Sequence, residues 1–296
     1  MYPVPDTTTC RTPPNGSDFD GQFIDGLRRD IEANRLVLPS LPDVAQKVRH
    51  VVEDADATTQ QVAGLISTDA AMSARLLKVA NSPLYRRTGA AIEDVGTAVT
   101  RLGLSLVRTL IVNLSIVQVM RPTQGLGAKY LQQVFAHSLA VAIWSYALAA
   151  RYTRLSPDEA MLAGMIHDIG YLPILQHAAK QKHLMDDAAA LQSLLRRHHT
   201  DIGATVLKAW NFGSQFIDVA NEHEDVYRTG DAQPTLVDLV IAAELYAGHE
   251  LGPAPMGVDH SRVPALRKLG LARHGSIPDD PELLDFLEQA QHILNA

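Results

Sequence analysis

The amino-acid sequence predicts an all-α protein. Apolar residues recur three and four positions apart along most of the 296-residue chain, which is the spacing that one face of a helix requires. The alternation of aromatic and β-branched residues that is typical of strands is almost absent. Capping residues precede several of the apolar runs. We therefore expect a bundle of helices without a sheet.

The first helices are predicted after a leader of residues 1 to 18, which is rich in Pro, Thr and Gly and is expected to be disordered. Helical spacing begins in Phe23, Ile24, Leu27 and Ile31. The LPSLP sequence of residues 38 to 42 interrupts this pattern. The pattern then resumes in Val44, Val48, Val51 and Val52.

Cap residues mark the next two helices. Thr58 and Asp69 each place a side-chain oxygen ahead of an apolar run, where free amide groups need an acceptor. Asn81 is expected to end the second helix, because Asn tolerates the left-handed conformation and Pro83 cannot continue the hydrogen-bond ladder.

A helix over residues 92 to 102 is predicted to be separated by Gly103 from a very apolar segment, residues 104 to 120. Both faces of that segment should be buried. Burial against the second half of the chain is the economical explanation, and a homodimer interface is the alternative.

The second half of the chain is predicted to begin after residues 121 to 127, the most linker-like interior segment. Helices are expected to about Tyr152, from 156 to 169, as a pair around 187 to 210, around Phe216 and from 236 to 247. Residues 252 to 264 resemble a surface loop, and residues 281 to 294 form a terminal amphipathic helix. Trp210 and Phe212 are expected to be core anchors, with Asn211 ending a helix.

Composition and charge exclude several classes of protein. A formal charge of -7 and a pI near 5.9 argue against a general nucleic-acid surface, which needs clustered Lys and Arg. No run approaches the roughly 18 consecutive apolar residues of a membrane span, and the amino terminus lacks the pattern of a secretory signal. We therefore expect a cytoplasmic protein. The single cysteine, Cys10, rules out an intramolecular disulfide and argues against a thiolate metal site.

Polar residues interrupt the apolar runs at spaced intervals. His167 and Asp168 end the run MLAGMIHDIGY, and Gly170 then closes it. Such a pair at a helix end can offer a nitrogen and an oxygen to one cation, although a structural salt-bridged pair is the alternative. The further candidates beside apolar faces are His137, His199, His223 and Glu244. Imidazoles and carboxylates suit Fe, Mn or Zn, so the sequence predicts a divalent metal site.

Two of these assignments have specific alternatives. A buried Glu244 paired with a neighbouring histidine explains that residue equally well. His198 is expected to be solvated, with substitution for His199 as the other interpretation.

The spaced set of histidines and carboxylates resembles the HD superfamily of metal-dependent phosphohydrolases. That resemblance implies one metal on His137, His167, Asp168 and Glu244, with His199 and His223 helping to hold a second. A narrower resemblance, to the HDOD proteins of bacterial signalling, covers residues 38 to 245. It rests on LPSLPDVAQKV, LISTDAAMSARLLKVANSPLY, IEDVGTAVTRLGLSLVRTLIV, MLAGMIHDIGYLPIL and HHTDIGATVLKAWNF.

The HDOD resemblance implies an HD-domain-like helical bundle with an additional helical amino-terminal lobe. The lobe would occupy residues 19 to 122 and the HD-like lobe 123 to 250, followed by a loop and helix in 251 to 296. Many HDOD proteins lack the full ligand set and are treated as non-catalytic. This chain departs from active HD enzymes at three points: Tyr171 stands where HD-GYP phosphodiesterases have lysine, Glu244 replaces the usual aspartate, and no GYP tripeptide follows His223.

The resemblance therefore implies a regulatory, non-catalytic output protein that acts through contacts with other signalling proteins. The alternative is a metal-dependent phosphohydrolase that cleaves a cyclic dinucleotide or another nucleotide. A third hypothesis is an adaptor that binds a cyclic dinucleotide without cleaving it.

Overall fold

A computed structural model describes residues 16–32, 43–52, 54, 56–82, 85, 90–120, 128–181, 184, 186–247, 258–272 and 280–294. Within these ranges the chain is helical and contains no strand, so the all-α prediction is confirmed. The predicted breaks at 38–42 and 121–127 and the first fifteen residues of the leader lie outside the described residues.

The amino-terminal half contains α1 (Gly16–Glu32), α2 (Asp43–Val52), α3 (Thr59–Ile66), α4 (Ala70–Ala80), α5 (Val95–Leu102) and α6 (Leu104–Met120). Helix α1 thus begins within the segment expected to be a leader. Thr58 caps α3 in a capping box with Gln61, and Asp69 accepts a hydrogen bond from the Met72 amide at 3.0 Å. Both predicted caps are confirmed, and each satisfies an amide that the helix itself cannot.

Asn81 ends α4 by a different route from the one predicted. Its φ of -93° is right-handed, so the left-handed interpretation was wrong. Its side chain instead donates to the carbonyl oxygen of Ile92 and accepts from the Ile92 amide, both at 2.8 Å. This pairing fixes the chain ahead of α5, which begins at Val95 behind the cap Asp94 rather than at Ile92.

Gly103 turns the chain between α5 and α6 with a φ of +83°, a conformation that favours glycine. Helix α6 is buried on both faces, as predicted, and packs against α2 and α8 of the same chain. Two polar side chains inside it make hydrogen bonds: Ser115 donates to the Ile111 carbonyl at 2.7 Å, and Asn113 donates to the Asp158 carbonyl of α8 at 3.3 Å.

The carboxyl-terminal half contains α7 (Ala128–Tyr152), α8 (Pro157–Ile166), α9 (Tyr171–Ala178), α10 (Ala188–Ala209), α11 (Ser214–Glu222), α12 (Leu236–Ala247), α13 (Pro264–Lys268) and α14 (Pro281–Leu294). Helix α7 is central and packs against α8, α12 and α14. Helix α10 packs against α9 and α11 and also contacts α1 of the first half.

Three expectations about this half need correction. Residues 188 to 209 form one helix rather than a pair, because no residue between them breaks the ladder. Helix α8 ends at Ile166, three residues before the predicted end. The predicted loop of 252 to 264 contains a 3-10 turn, His260–Arg262, and the start of α13 in the part that the structure describes. Asn211 ends α10 as predicted, with a φ of +56°.

Among the described helices, α7 alone is long and apolar enough to cross a membrane by length and composition. Its most apolar window is 56% buried inside the protein, which is typical of a core helix. Helices α5 and α6 pass the same test only as one span, and they are bent by 116° at Gly103.

Candidate metal centre

The structure brings together all six residues that the sequence singled out as metal ligands. They come from five places: α7, the end of α8, α10, the end of α11, and α12. All are buried, with exposed fractions of 0% for His167, His199 and His223, 4% for His137 and Asp168, and 5% for Glu244. Metal binding by them remains a prediction, and their convergence is a finding.

Two glycines allow the end of α8 to reach this position. A Cβ atom on Gly164 would lie 2.7 Å from the Ala142 Cα of α7, so the two helices can cross closely only without a side chain there. A Cβ atom on Gly170 would lie 1.9 Å from the His199 carbonyl oxygen. The close approach at Gly170 brings Asp168 against His199 of α10.

The backbone fixes the tautomer of three histidines. His167 Nδ1 lies 2.7 Å from the Gly164 carbonyl oxygen, His199 Nδ1 3.0 Å from that of Leu195, and His223 Nδ1 3.0 Å from that of Val219. A carbonyl oxygen can only accept, so each Nδ1 carries the hydrogen and donates it. When these rings are neutral, each Nε2 presents a lone pair to the centre of the cluster.

Asp168 lies between two pairs of histidines. Its Oδ2 is 3.4 Å from His167 Nε2 and 3.8 Å from His137 Nε2. Its Oδ1 is 3.4 Å from His223 Nε2 and 3.5 Å from His199 Nε2. One carboxylate therefore faces both pairs, which is the arrangement of a bridging ligand between two cations.

The nitrogen atoms of each pair are close together. The Nε2 atoms of His199 and His223 are 3.3 Å apart, and those of His137 and His167 are also 3.3 Å apart. Two lone pairs at this distance repel each other unless a proton or a cation lies between them. The donor set therefore fits one or two divalent cations, with the chemistry that suits Fe, Mn or Zn.

Glu224 belongs to the same cluster, although the sequence analysis did not select it. Its Oε1 lies 3.3 Å from His199 Nε2, while its side chain is 58% exposed. Together with His199 and His223 it forms a group of potential ligand atoms that all lie within 4.8 Å of one another. Its position directly after His223 was the available signal, but an exposed acidic residue is common in any sequence.

The charges of the carboxylates differ. Burial opposes ionisation of Asp168, but the neighbouring histidines, His167 first among them, hold its pKa well below the usual value. Burial raises the pKa of Glu244 to about 8, and the nearby charges of Asp168 and Glu224 act in the same direction. A divalent cation at the cluster would favour the ionised form of Glu244 as well.

Tyr171 and Glu224 close the cluster. The ring of Tyr171 lies 4.7 Å from that of His199, centroid to centroid, and only 7% of the residue is exposed. A small cation can be held among such buried ligands.

Comparisons with known proteins agree with the fold and with the chemistry of the cluster. The HDOD domain family matches residues 38–226. A candidate metal-dependent phosphohydrolase from Shewanella amazonensis has a similar structure, with a TM-score of 0.74 and 30% identity over 94% of this chain and 99% of that one. An HDOD domain protein of unknown function from Geobacter sulfurreducens gives a TM-score of 0.65 and 25% identity, covering 94% and 98%.

A protein of undetermined function from Treponema pallidum (strain Nichols) is 22% identical over 222 residues. The match covers 70% of this chain and 42% of the relative, so the chain spans less than half the length of that protein.

Proposed function

The chain belongs to the HDOD domain family, and from that premise we propose that it is a regulatory signal-transduction protein that holds a divalent metal centre without turning over a substrate. The observation that carries the proposal is the convergence of four histidine Nε2 atoms and Asp168 in a buried cluster that Tyr171 and Glu224 close. Structural metal sites are closed by their ligands, whereas catalytic sites keep one position open.

The potential ligands form three groups, and the middle one, His167, Asp168 and His223, shares a histidine with each of the other two. His137, His167 and Glu244 would hold one cation, and His199, His223 and Glu224 a second. Asp168 would bridge them through its two oxygens. A divalent cation there supplies positive charge that offsets the buried carboxylates and can polarise a phosphoryl oxygen that reaches it.

The fully buried histidines favour a regulatory role over catalysis. Their Nδ1 hydrogens are committed to backbone carbonyls, so each ring is held in one orientation. Loss or gain of the cation would therefore affect the positions of α8, α10 and α11 together, because each of these helices carries or ends at one of these rings. We propose that signalling proteins contact the carboxyl-terminal half of the chain in the cytoplasm and respond to this change in helix position.

A metal-dependent phosphohydrolase is the second candidate. It is favoured by the exposed side chain of Glu224 at the edge of the cluster. It is also favoured by the similarity to the candidate metal-dependent phosphohydrolase from Shewanella amazonensis. In this case Glu224 would leave the cluster when a phosphoester enters. His199 and His223 would then face the substrate as ligands of the second cation.

Metal analysis of protein purified without chelator tests the proposal. We expect one to two equivalents of Fe, Mn or Zn in the wild type and none in a variant that combines His167→Ala with Asp168→Ala. His198→Ala is the matched control, because His198 is the neighbour of His199 and lies outside the ligand groups, and this variant should keep the metal. Added metal at about 100 times its Kd should stabilise the wild type by about 2.7 kcal/mol.

Two results would change the conclusion. A metal-free wild type whose unfolding does not respond to added metal would remove the metal centre. Turnover of a cyclic dinucleotide or a nitrophenyl phosphodiester at an enzymatic rate, lost in the double variant, would replace the regulatory role with the phosphohydrolase. Calorimetric binding of a cyclic dinucleotide without turnover would instead support the adaptor hypothesis.

A further inference from the structure

A second cavity borders Tyr171, and none of the proposed metal ligands is among the residues that line it. It has a volume of about 170 Å³ and is bounded by α7, α9 and α10. Its polar lining consists of Tyr130, Gln133, Tyr171, Gln192 and Arg196, and two aliphatic side chains complete the wall.

The lining is rich in hydrogen-bond donors and carries positive charge. Arg196 supplies a guanidinium group, the two glutamines supply amide N–H groups, and Tyr130 and Tyr171 supply hydroxyl groups. No carboxylate occurs among the described residues that line the cavity. An anion would therefore be favoured over a cation or an apolar molecule.

The size of the cavity limits the ligand. A cavity of about 150 Å³ holds a single benzene ring, whereas drug-sized ligands need about 300 Å³ or more. The 170 Å³ cavity thus suits one compact group, such as a tetrahedral oxyanion with a small substituent.

Arg196 can reach both solvent and the cavity. The residue is exposed on α10, one turn before His199, and it lines the cavity together with Tyr171. A guanidinium group presents paired N–H donors whose geometry matches the oxygens of a phosphate. An incoming anion would meet this side chain first.

We propose that this cavity is a binding site for a phosphate group, with Arg196 as its principal ligand and the Gln133, Gln192 and Tyr171 side chains as further donors. The cavity shares Tyr171 with the wall of the metal centre but is lined by none of the metal-ligand residues, so phosphate binding here does not require the metal. The phosphate could be free or could be carried by a small ester, since both present the same oxygens.

Titration of the full-length protein with inorganic phosphate, followed by ³¹P NMR line broadening, tests the proposal. Sodium chloride keeps the ionic strength constant. We expect saturable binding to the wild type and at least a tenfold weaker affinity in Arg196→Ala, since a charge-assisted hydrogen bond is lost. Arg197→Ala is the matched control: it removes the neighbouring exposed charge, which does not line the cavity, and should change the affinity less than twofold.

A second titration with phenyl phosphate distinguishes the two sources. Tighter binding than inorganic phosphate would identify an ester whose ring packs on the tyrosines, and equal or weaker binding would identify free phosphate. The variant that combines His167→Ala with Asp168→Ala should still bind phosphate, so this result does not depend on the metal centre.

Three outcomes would overturn the proposal. The first is an absence of saturable binding to the wild type. The second is equal loss in the Arg196 and Arg197 variants, which would reveal general electrostatic attraction. The third is binding that survives in Arg196→Ala but disappears in the double variant, which would move the phosphate to the histidine cluster. Arg196→Lys, which keeps the charge and loses the paired donors, should show an intermediate affinity and guards against misfolding of the alanine variant.

Discussion

Replacement of Gly170 by alanine should destabilise the protein strongly, although the backbone of Gly170 is in an ordinary right-handed conformation. The added Cβ would lie 1.9 Å from the His199 carbonyl oxygen and 2.6 Å from the Gly203 amide nitrogen. Real Cβ atoms do not approach other atoms this closely, so α8 and α10 must separate. Overpacking typically costs about 1 to 3 kcal/mol. We expect a loss of about 3 kcal/mol, because the obstacle is backbone that cannot rotate away.

Gly203→Ala is the matched control on the opposite side of the same contact. Its Cβ would lie 3.4 Å from the Ala220 Cβ, which is an ordinary van der Waals distance. Because Gly203 is inside α10, the better helix propensity of alanine should raise the free energy of unfolding by up to about 1 kcal/mol. The free energy of unfolding should therefore fall in Gly170→Ala and rise in Gly203→Ala, although the two residues face each other in one interface.

Urea unfolding followed by far-UV circular dichroism measures both effects as differences in the free energy of unfolding. Metal must be removed by dialysis against chelator in every sample, so that binding does not add to stability. The steric explanation is wrong if Gly170→Ala unfolds within about 0.5 kcal/mol of the wild type, the usual spread for neutral substitutions. It is also wrong if Gly203→Ala loses as much stability as Gly170→Ala.

Three further predictions concern other parts of the fold. Burial raises the pKa of Asp158 above its ordinary 3.8, despite the hydrogen bond from Tyr85. The free energy of unfolding should therefore fall as the pH rises from this ordinary value through the raised pKa of the folded state. Asp158→Asn should flatten that part of a stability-versus-pH curve. Asp238 is fully buried and accepts a hydrogen bond from Lys268 at 2.7 Å; Asp238→Asn should cost about 3 kcal/mol in urea unfolding, since it leaves a buried ammonium group without its counter-charge, and a loss below about 1 kcal/mol would show that the pair is well solvated. Thr58→Ala removes the capping oxygen of α3 and should lower the free energy of unfolding by about 1 kcal/mol in the same assay, whereas an unchanged value would mean that water replaces the cap.

Local chemistry was sufficient to predict several parts of this structure. Thr58 and Asp69 cap their helices because a side-chain oxygen meets an amide only three residues away, and sequence reports such distances directly. The six cluster residues were also selected from the sequence, because a polar residue in an apolar run needs a partner somewhere. The sequence could say that these partners exist, and only the resemblance to the HD superfamily predicted how they would group around metal ions.

Tertiary contacts explain what the sequence analysis missed. Glu224 is exposed and lies in no apolar run, so only the position of His199 reveals that it belongs to the cluster. Asn is a residue type that often ends a helix in the left-handed conformation. The hydrogen bonds of Asn81 with Ile92, eleven residues away, instead hold it in a right-handed conformation. The importance of Gly170 likewise depends on the backbone of α10, which lies about thirty residues further along the chain.

The substitution of glutamate for the usual aspartate at position 244 bears on how the cluster works as a unit. Glu244 Oε1 lies 3.2 Å from His167 Nε2 and 3.9 Å from His223 Nε2, so one oxygen faces a histidine from each pair. Asp168 joins the same two pairs through its separate oxygens. The pairs are therefore linked by two carboxylates, and a cation bound at one pair alters the charge that the other pair experiences.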